Sequence, residues 1–248
     1  MSQHIAFVTG AMGGLGTSFC QAFDKAGYKV VAAYHPEFDD KEAWLAEQKA
    51  EGFTNFIPVA CDVGNYESCV AAAAEAEKLA GGVIDVLVNN AGITRDKFFT
   101  KMDKGQWDAV INTNLTSVYN VTQPFAAKMA EKGWGRVINI SSVNGVKGQA
   151  GQTNYSAAKA GVIGFTKALA AEMATKGVTV NAITPGYVAT KMVMAIREDI
   201  LQSIVDTVPM KRLAKPEEIA GLAVYLASDL AGFITGATMN INGGLYYQ

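Results

Sequence analysis

Ile5-Ala6-Phe7-Val8-Thr9 is an unbroken apolar and β-branched run, and it passes directly into Gly10-Ala11-Met12-Gly13-Gly14-Leu15-Gly16. A short run that is apolar on both faces reads as a strand buried on both sides of a parallel sheet. A glycine-rich turn behind it, leading into a helical stretch, reads as the opening of a βαβ unit. The same alternation continues to the end of the chain. Strands are expected at Ile5–Thr9, Lys29–Ala33, Asn55–Ala60, Ile84–Val88, Arg136–Ile140, Thr179–Ile183 and Thr238–Ile241. Helices are expected near Gly14–Ala26, Asp40–Gly52, Asn65–Ala80, Lys104–Glu131, Thr153–Lys176 and Pro216–Ala227. Asp62 or Asn65 can cap the third of these, and Pro216 with Glu217 and Glu218 marks the start of the last. The fold class is therefore α/β: a single doubly wound domain over residues 1–248, with a seven-stranded parallel sheet and helices on both faces.

Composition narrows the function. The 248 residues are 50% hydrophobic and 18% charged, with 21 basic against 23 acidic side chains and a net charge of −2. A near-neutral chain without a Lys/Arg run is no dedicated nucleic-acid binder, because that grip comes from clustered cations. No apolar run approaches the ~18 residues of a membrane span, so no membrane partner is expected. Cys20, Cys61 and Cys69 form no C-x-x-C pair, and there are only two histidines. These features fit a reduced, cytoplasmic protein with no metal site. Met1–Gly10 has neither the charged nor the long apolar region of a leader. The excess lies in 25 glycines, about a tenth of the chain against a usual ~7%.

In an open parallel sheet, ligands bind outside the carboxyl ends of the strands. The unusual residues fall there: Gly10 to Gly16 after the first strand, Asp62 after the third, Asn89-Asn90-Ala91-Gly92 after the fourth, Ser141-Ser142 after the fifth and Pro185-Gly186 after the sixth. The glycine turn suits a pyrophosphate at a helix N-terminus, Asp62 can accept from an adenine amino group or cap a helix, and Asn89-Asn90 can line a pocket or simply form a turn. Tyr155 and Lys159 stand at i and i+4 on one helix face. A free phenol has a pKa of about 10, and a cation one turn away favours its phenolate. Ser142 can hydrogen-bond a substrate carbonyl and the phenol oxygen if the fifth strand packs against that helix.

Together, Thr9-Gly10-x-x-x-Gly14-x-Gly16, Asn89-Asn90-Ala91-Gly92, Asn114, Ser142, Tyr155-x-x-x-Lys159 and Pro185-Gly186 resemble the motif set of the short-chain dehydrogenase/reductase family across nearly the whole chain. The resemblance implies a Rossmann fold, hydride-transfer chemistry and a catalytic tetrad of Asn114, Ser142, Tyr155 and Lys159. In it Tyr155 donates the proton, Ser142 polarises the carbonyl, Lys159 lowers the tyrosine pKa and holds the nicotinamide ribose, and Asn114 anchors a relay water. It also implies a cofactor site of Gly10, Met12, Gly13, Gly14, Leu15, Gly16, Tyr34, His35, Asp62, Val63, Asn90, Ala91, Gly92, Tyr155, Lys159, Pro185, Gly186, Val188 and Thr190.

A narrower likeness rests on Gly133-Trp134-Gly135-Arg136, Ser141 to Gly145 and Lys147 to Ser156, which resemble acetoacetyl-CoA reductases of polyhydroxybutyrate synthesis. These enzymes make (R)-3-hydroxyacyl-CoA. The likeness implies contacts to acetoacetyl-CoA from Asp96, Ser142, Gln149, Gln152, Tyr155 and Tyr187, a substrate-covering lid near 187–207, and a homotetramer. Ala150 stands where a bulkier aromatic is common, and Gly92 to Asp96 with Asn242-Gly243-Gly244 are shared with 3-oxoacyl-carrier-protein reductases, the alternative function. A non-catalytic nucleotide-binding scaffold is the third reading. Tyr34 replaces the acid of NAD-type members, and His35 and Gly13 replace the cations of NADP-type members. Glu37, Asp39 and Asp40 precede the first cation, Lys41. A carboxylate ~7 Å from a 2′-phosphate costs on the order of 1 kcal/mol even in water, so NADH is expected to be preferred, with NADPH the alternative. Phe98-Phe99 and Val193–Ile204 are expected to belong to the core, and His4 to the surface.

Overall fold

A computed structural model describes residues 3–247, so the outermost ends of the expected 1–248 domain lie outside the described residues. Seven strands, β1 (Ile5–Thr9), β2 (Lys29–Tyr34), β3 (Ile57–Ala60), β4 (Val86–Asn89), β5 (Gly135–Ile140), β6 (Val178–Pro185) and β7 (Thr238–Ile241), form one sheet in the order β3-β2-β1-β4-β5-β6-β7. Every pairing is parallel. The strand order reverses between β1 and β4, which opens the crevice of a doubly wound sheet at that point.

Side-chain alternation assigns the two faces. Phe7, Val31, Leu87 and Val180 point to one side, where they meet α3 (Tyr66–Ala80), α5 (Ser117–Lys132) and α7 (Thr153–Met173). Val8, Ala32, Val88 and Ile138 point to the other, against α1 (Gly14–Lys25), α2 (Lys41–Ala50) and α10 (Pro216–Ala227). Burying both faces explains why these strands are continuously apolar rather than alternating. No helix among the described residues is long and apolar enough to cross a membrane.

Three expectations need correction. The stretch expected as one helix over Lys104–Glu131 is α4 (Lys104–Ile111), a π-helical turn (Asn112–Thr116) and α5. Phe98 and Phe99 are not core: they are 69% and 68% exposed on the loop before α4. Val193–Ile204 is not core either. It spans α8 (Lys191–Met194) and α9 (Glu198–Thr207), and α9 buries no residue, so its apolar side covers the surface rather than filling the interior. The short helix α6 (Asn144–Lys147) lies between β5 and α7. His4 is half-buried, stacked on Trp134 at 4.1 Å with Nδ1 3.3 Å from Asp85 Oδ2.

Candidate active site

The turns after β1 and β4 are tied together. Thr9 Oγ1 accepts from the N–H groups of Asn90 (2.9 Å) and Ala91 (3.0 Å), and the Asn90 amide donates back to the carbonyls of Thr9 (2.9 Å) and Gly10 (3.2 Å). Asn90 therefore shapes the pocket by holding the glycine turn. Asn89 does not line the pocket: its amide is buried in the sheet face, donating to Thr122 Oγ1 (2.9 Å) and Asn139 Oδ1 (2.8 Å). Gly10 has φ +59°, and a Cβ on Gly16 would sit 2.0 Å from the Gly10 carbonyl oxygen, so the turn admits no side chain there. Gly13 heads α1 with no side-chain cap and no acidic residue in the first turn. A helix start with unshielded N–H groups behind a bare glycine cradle fits the pyrophosphate of a dinucleotide. Met12 and Leu15 pack on the core beneath this turn. Thr190 caps α8 and closes the other side, with its Cβ 3.0 Å from where a Cβ on Gly14 would lie. Gly186 is held against Asn242, whose Cα would be 2.9 Å from an added Cβ. Pro185 accepts from the Val143 N–H at 2.9 Å, and Val188 is buried, bridging Ala214.

At the far end of the crevice Tyr34 closes β2. The ring of His35 stacks on Phe38 at 4.3 Å, with Nε2 3.7 Å from Asp62 Oδ1, and the His35 backbone N–H donates to Asp39 Oδ2 (2.7 Å). Asp40 caps α2 by accepting from the Ala43 N–H (3.0 Å). Two of the three expected carboxylates thus also hold the local chain in place, while Glu37 is exposed. Asn65, not Asp62, caps α3, and Asp62 accepts from the Gly64 N–H (2.9 Å). Val63 is buried, with its carbonyl bonded to the Asn120 amide at 3.0 Å. Lys41 stands over the Tyr34 ring, 5.8 Å from its centre.

Tyr155 lies in the first turn of α7 and Lys159 one turn further on. Lys159 is buried, donates to the Ile140 carbonyl at 2.8 Å, and places Nζ 5.7 Å from the centre of the Tyr155 ring. Burial pushes the Lys159 ammonium down to about 8. Burial also pushes the Tyr155 phenol up, the Ser142 hydroxyl opposes this, and the Asp96 carboxylate adds to it. The phenol is thereby kept as an acid, the form that donates a proton. Burial, not Lys159, sets the direction of the tyrosine shift.

The loop after β5 docks on α7 beside these residues. Ser141 Oγ donates to the Lys159 carbonyl (2.7 Å), and a Cβ on Gly145 would sit 2.8 Å from the same backbone. Asn114 occupies the π-helical turn, buried, with Oδ1 accepting from the Ile93 N–H and Nδ2 donating to the Ile93 carbonyl, both at 2.8 Å. A Cβ on Gly92 would lie 2.9 Å from Asn114 Oδ1 and 3.6 Å from Lys159 Nζ, so these three come together. Such turns disrupt the regular helical ladder and recur at functional sites.

The expected substrate residues separate into two groups. Gln152 is drawn in, donating to Asp96 Oδ2 at 2.8 Å and accepting from Asn144 at 2.9 Å. Gln149 stays exposed, its Oε1 accepting from Lys147 Nζ at 3.4 Å, and Tyr187 is half-buried at the foot of α8. Sequence reasoning missed Asn154. It is fully buried, and its amide donates to the carbonyls of Arg95 and Gln106, both at 3.2 Å, while Oδ1 accepts from the Tyr155 N–H at 2.8 Å. It anchors the 93–106 loop to the residue beside it in α7. The Trp134-Gly135-Arg136 stretch is elsewhere. It enters β5 at the amino edge of the sheet, where Arg136 lies over the Trp134 ring at 4.2 Å, and it makes no part of this site.

The family model described as short chain dehydrogenase matches residues 4–201. The chain is 68% identical over 248 residues to nodulation protein G of Azospirillum brasilense, covering all of both chains. It is 56% identical to acetoacetyl-CoA reductase of Cupriavidus necator, covering 99% of each chain. It is 43% identical to a 3-oxoacyl-(acyl-carrier-protein) reductase of Vibrio harveyi, covering 98% of this chain and 97% of the other.

Proposed function

The chain belongs to the short-chain dehydrogenase family, and on that premise we propose that it reduces acetoacetyl-CoA to (R)-3-hydroxybutyryl-CoA. The observation that carries this reading is the grouping of Tyr155, Ser142 and buried Lys159 on the same crevice as the glycine cradle. The full-length likeness to acetoacetyl-CoA reductases, higher than to the carrier-protein reductase, supports the choice of thioester.

NAD(P)H, when bound, supplies the hydride. Gly10, Met12, Gly13, Gly14, Leu15 and Gly16 would hold its pyrophosphate, with Tyr34, His35, Asp62 and Val63 at the adenosine and Asn90, Ala91, Gly92, Pro185, Gly186, Val188 and Thr190 around the nicotinamide half. Ser142 orients the substrate carbonyl, and Tyr155, kept protonated by burial, delivers the proton to its oxygen. Lys159 balances the phenolate left behind and holds the ribose, and Asn114 anchors the water through which the proton is replaced. Asp96, Gln149, Gln152 and Tyr187 frame the acyl chain, and residues 187–207, with α8 and α9, form the lid. The product's chemistry fits a supply step for polyhydroxybutyrate synthesis in the cytoplasm. A homotetramer is the assembly the family likeness implies, and the apolar groove that Tyr119, Ala126, Phe165 and Leu169 leave between α5 and α7 offers one face for contact between copies.

NADH is the proposed preferred cofactor, since Asp39 and Glu37 stand near His35 and Gly13 offers no cation. Lys41 over Tyr34 favours NADPH as the second reading. Steady-state kinetics with acetoacetyl-CoA decide between them. The kcat/KM with NADH is expected to exceed that with NADPH, and a preference for NADPH of about a hundredfold, some 2.7 kcal/mol, would overturn the assignment.

A further inference from the structure

Four residues join into one polar chain. Gln152 Nε2 donates to Asp96 Oδ2 (2.8 Å), Asn144 Nδ2 donates to Gln152 Oε1 (2.9 Å), and the Asn144 backbone N–H donates to Ser142 Oγ (3.1 Å). The direction of the two side-chain bonds follows from charge, whereas the backbone N–H of Asn144 donates in any case. An ionised carboxylate only accepts, so Asp96 takes the NH2 end of Gln152. Gln152 must then present its oxygen to Asn144, which answers with its own NH2. Asn144 Oδ1, at the end of this series of bonds, has no partner among the described residues although the residue is only 9% exposed. An orphaned buried acceptor is costly, so a side chain that keeps one is held there by something else it does.

What it does is span two segments. Asn144 opens α6, next to the loop that carries Ser142, and Gln152 sits at the cap of α7, one turn ahead of Tyr155. The Asn144–Gln152 bond is a direct side-chain link between them. We propose that Asn144 is a positioning residue for the reduction, the polarised link that fixes Ser142 relative to Tyr155 and that depends on the charge of Asp96 for its direction. With the Asn144 N–H occupying one lone pair of Ser142 Oγ, the serine O–H is left free to point to the substrate carbonyl. The other ionisable groups nearby are Arg95 and Lys97 on either side of Asp96, the latter with its backbone N–H on the Gly151 carbonyl, Lys147 of α6, which reaches Gln149, and Tyr155 and Lys159 of α7. This inference rests on the reductase reading of the same site.

The test is a polarity swap, which keeps side-chain shape while moving the negative charge and reversing the side-chain bonds. Asn144→Asp puts a carboxylate where the chain needs a donor. It is expected to lower kcat with acetoacetyl-CoA by about ten- to hundredfold at pH 8, with the dissociation constant for reduced cofactor unchanged. The loss should shrink as pH falls, because the introduced carboxyl, once protonated, can donate to Gln152 Oε1. Asp96→Asn alone should also lower kcat. The double variant Asp96→Asn/Asn144→Asp lets both side-chain bonds reverse together while the backbone N–H of residue 144 still donates to Ser142 Oγ, and should regain about tenfold over Asn144→Asp at pH 8. A wild-type kcat for Asn144→Asp, or a pH-independent loss with additive double-variant effects, overturns the proposal. Unaltered cofactor binding by nicotinamide fluorescence separates these results from misfolding. An inactive wild-type chain would count against the reductase reading instead.

Discussion

Tyr155→Phe is expected to lower kcat by about three orders of magnitude while leaving the dissociation constants of cofactor and substrate nearly unchanged. The phenyl ring keeps the packing of a half-buried residue in the first turn of α7, beside an Asn154 that anchors the neighbouring loop. Only the hydroxyl is lost, and with it the proton donor that burial keeps in its acid form. Single-turnover kinetics with saturating cofactor would isolate this step. Activity within about tenfold of wild type would mean that another group delivers the proton.

Lys159→Met is expected to act in opposite directions on activity and stability. Catalysis should fall by about two orders of magnitude, because the cation that balances the phenolate is gone. Stability should rise. The ammonium is buried and its pKa falls from 10.5 to about 8, a penalty of about 3 kcal/mol at pH 7 for keeping the charge inside. Loss of the 2.8 Å bond to the Ile140 carbonyl returns part of this, which leaves a net gain of about 1–2 kcal/mol. For a chain of this size that corresponds to a melting temperature higher by about 3–6 °C. The sign with pH follows from proton counts. Between about pH 8 and 10.5 the folded lysine has lost its proton and the unfolded one retains it, so wild-type stability from this group rises with pH across that window. The advantage of the variant should therefore be full below pH 8, shrink by about 1.4 kcal/mol per pH unit above it, and be gone about one to one and a half units above pH 8. A variant that melts below wild type at pH 7, or whose difference ignores pH, would contradict the reading of Lys159 as a buried charge.

Much of the molecule was legible in its sequence because the physics is local. Strands buried on both faces are continuously apolar, and helices carry their own caps and periodicity. The boundary of β3 moved because Pro58 sits in an edge strand that starts only at Ile57. The π-helical turn left no trace, since Asn112 to Thr116 keeps a helical pattern and its distortion is set by packing around Asn114. Phe98 and Phe99 misled because apolar residues are more often buried than not, although exposed ones are common. The roles of Asn89, Asn144 and Asn154 depend on partners distant in sequence or on the direction of an amide, and no spacing rule encodes either. The Trp134-Gly135-Arg136 stretch shows the reverse case, a motif that marks the likeness to one group of reductases yet lies at the sheet edge away from the chemistry.

The substrate assignment meets its most direct test in one competition: acetoacetyl-CoA against acetoacetyl-acyl-carrier protein at equal concentration, with oxidation of the reduced cofactor followed and the hydroxyacyl product identified. Acetoacetyl-CoA is expected to be turned over about tenfold or more efficiently, giving the (R)-3-hydroxy thioester. A preference for the carrier-protein thioester, or no cofactor oxidation with either, would contradict it.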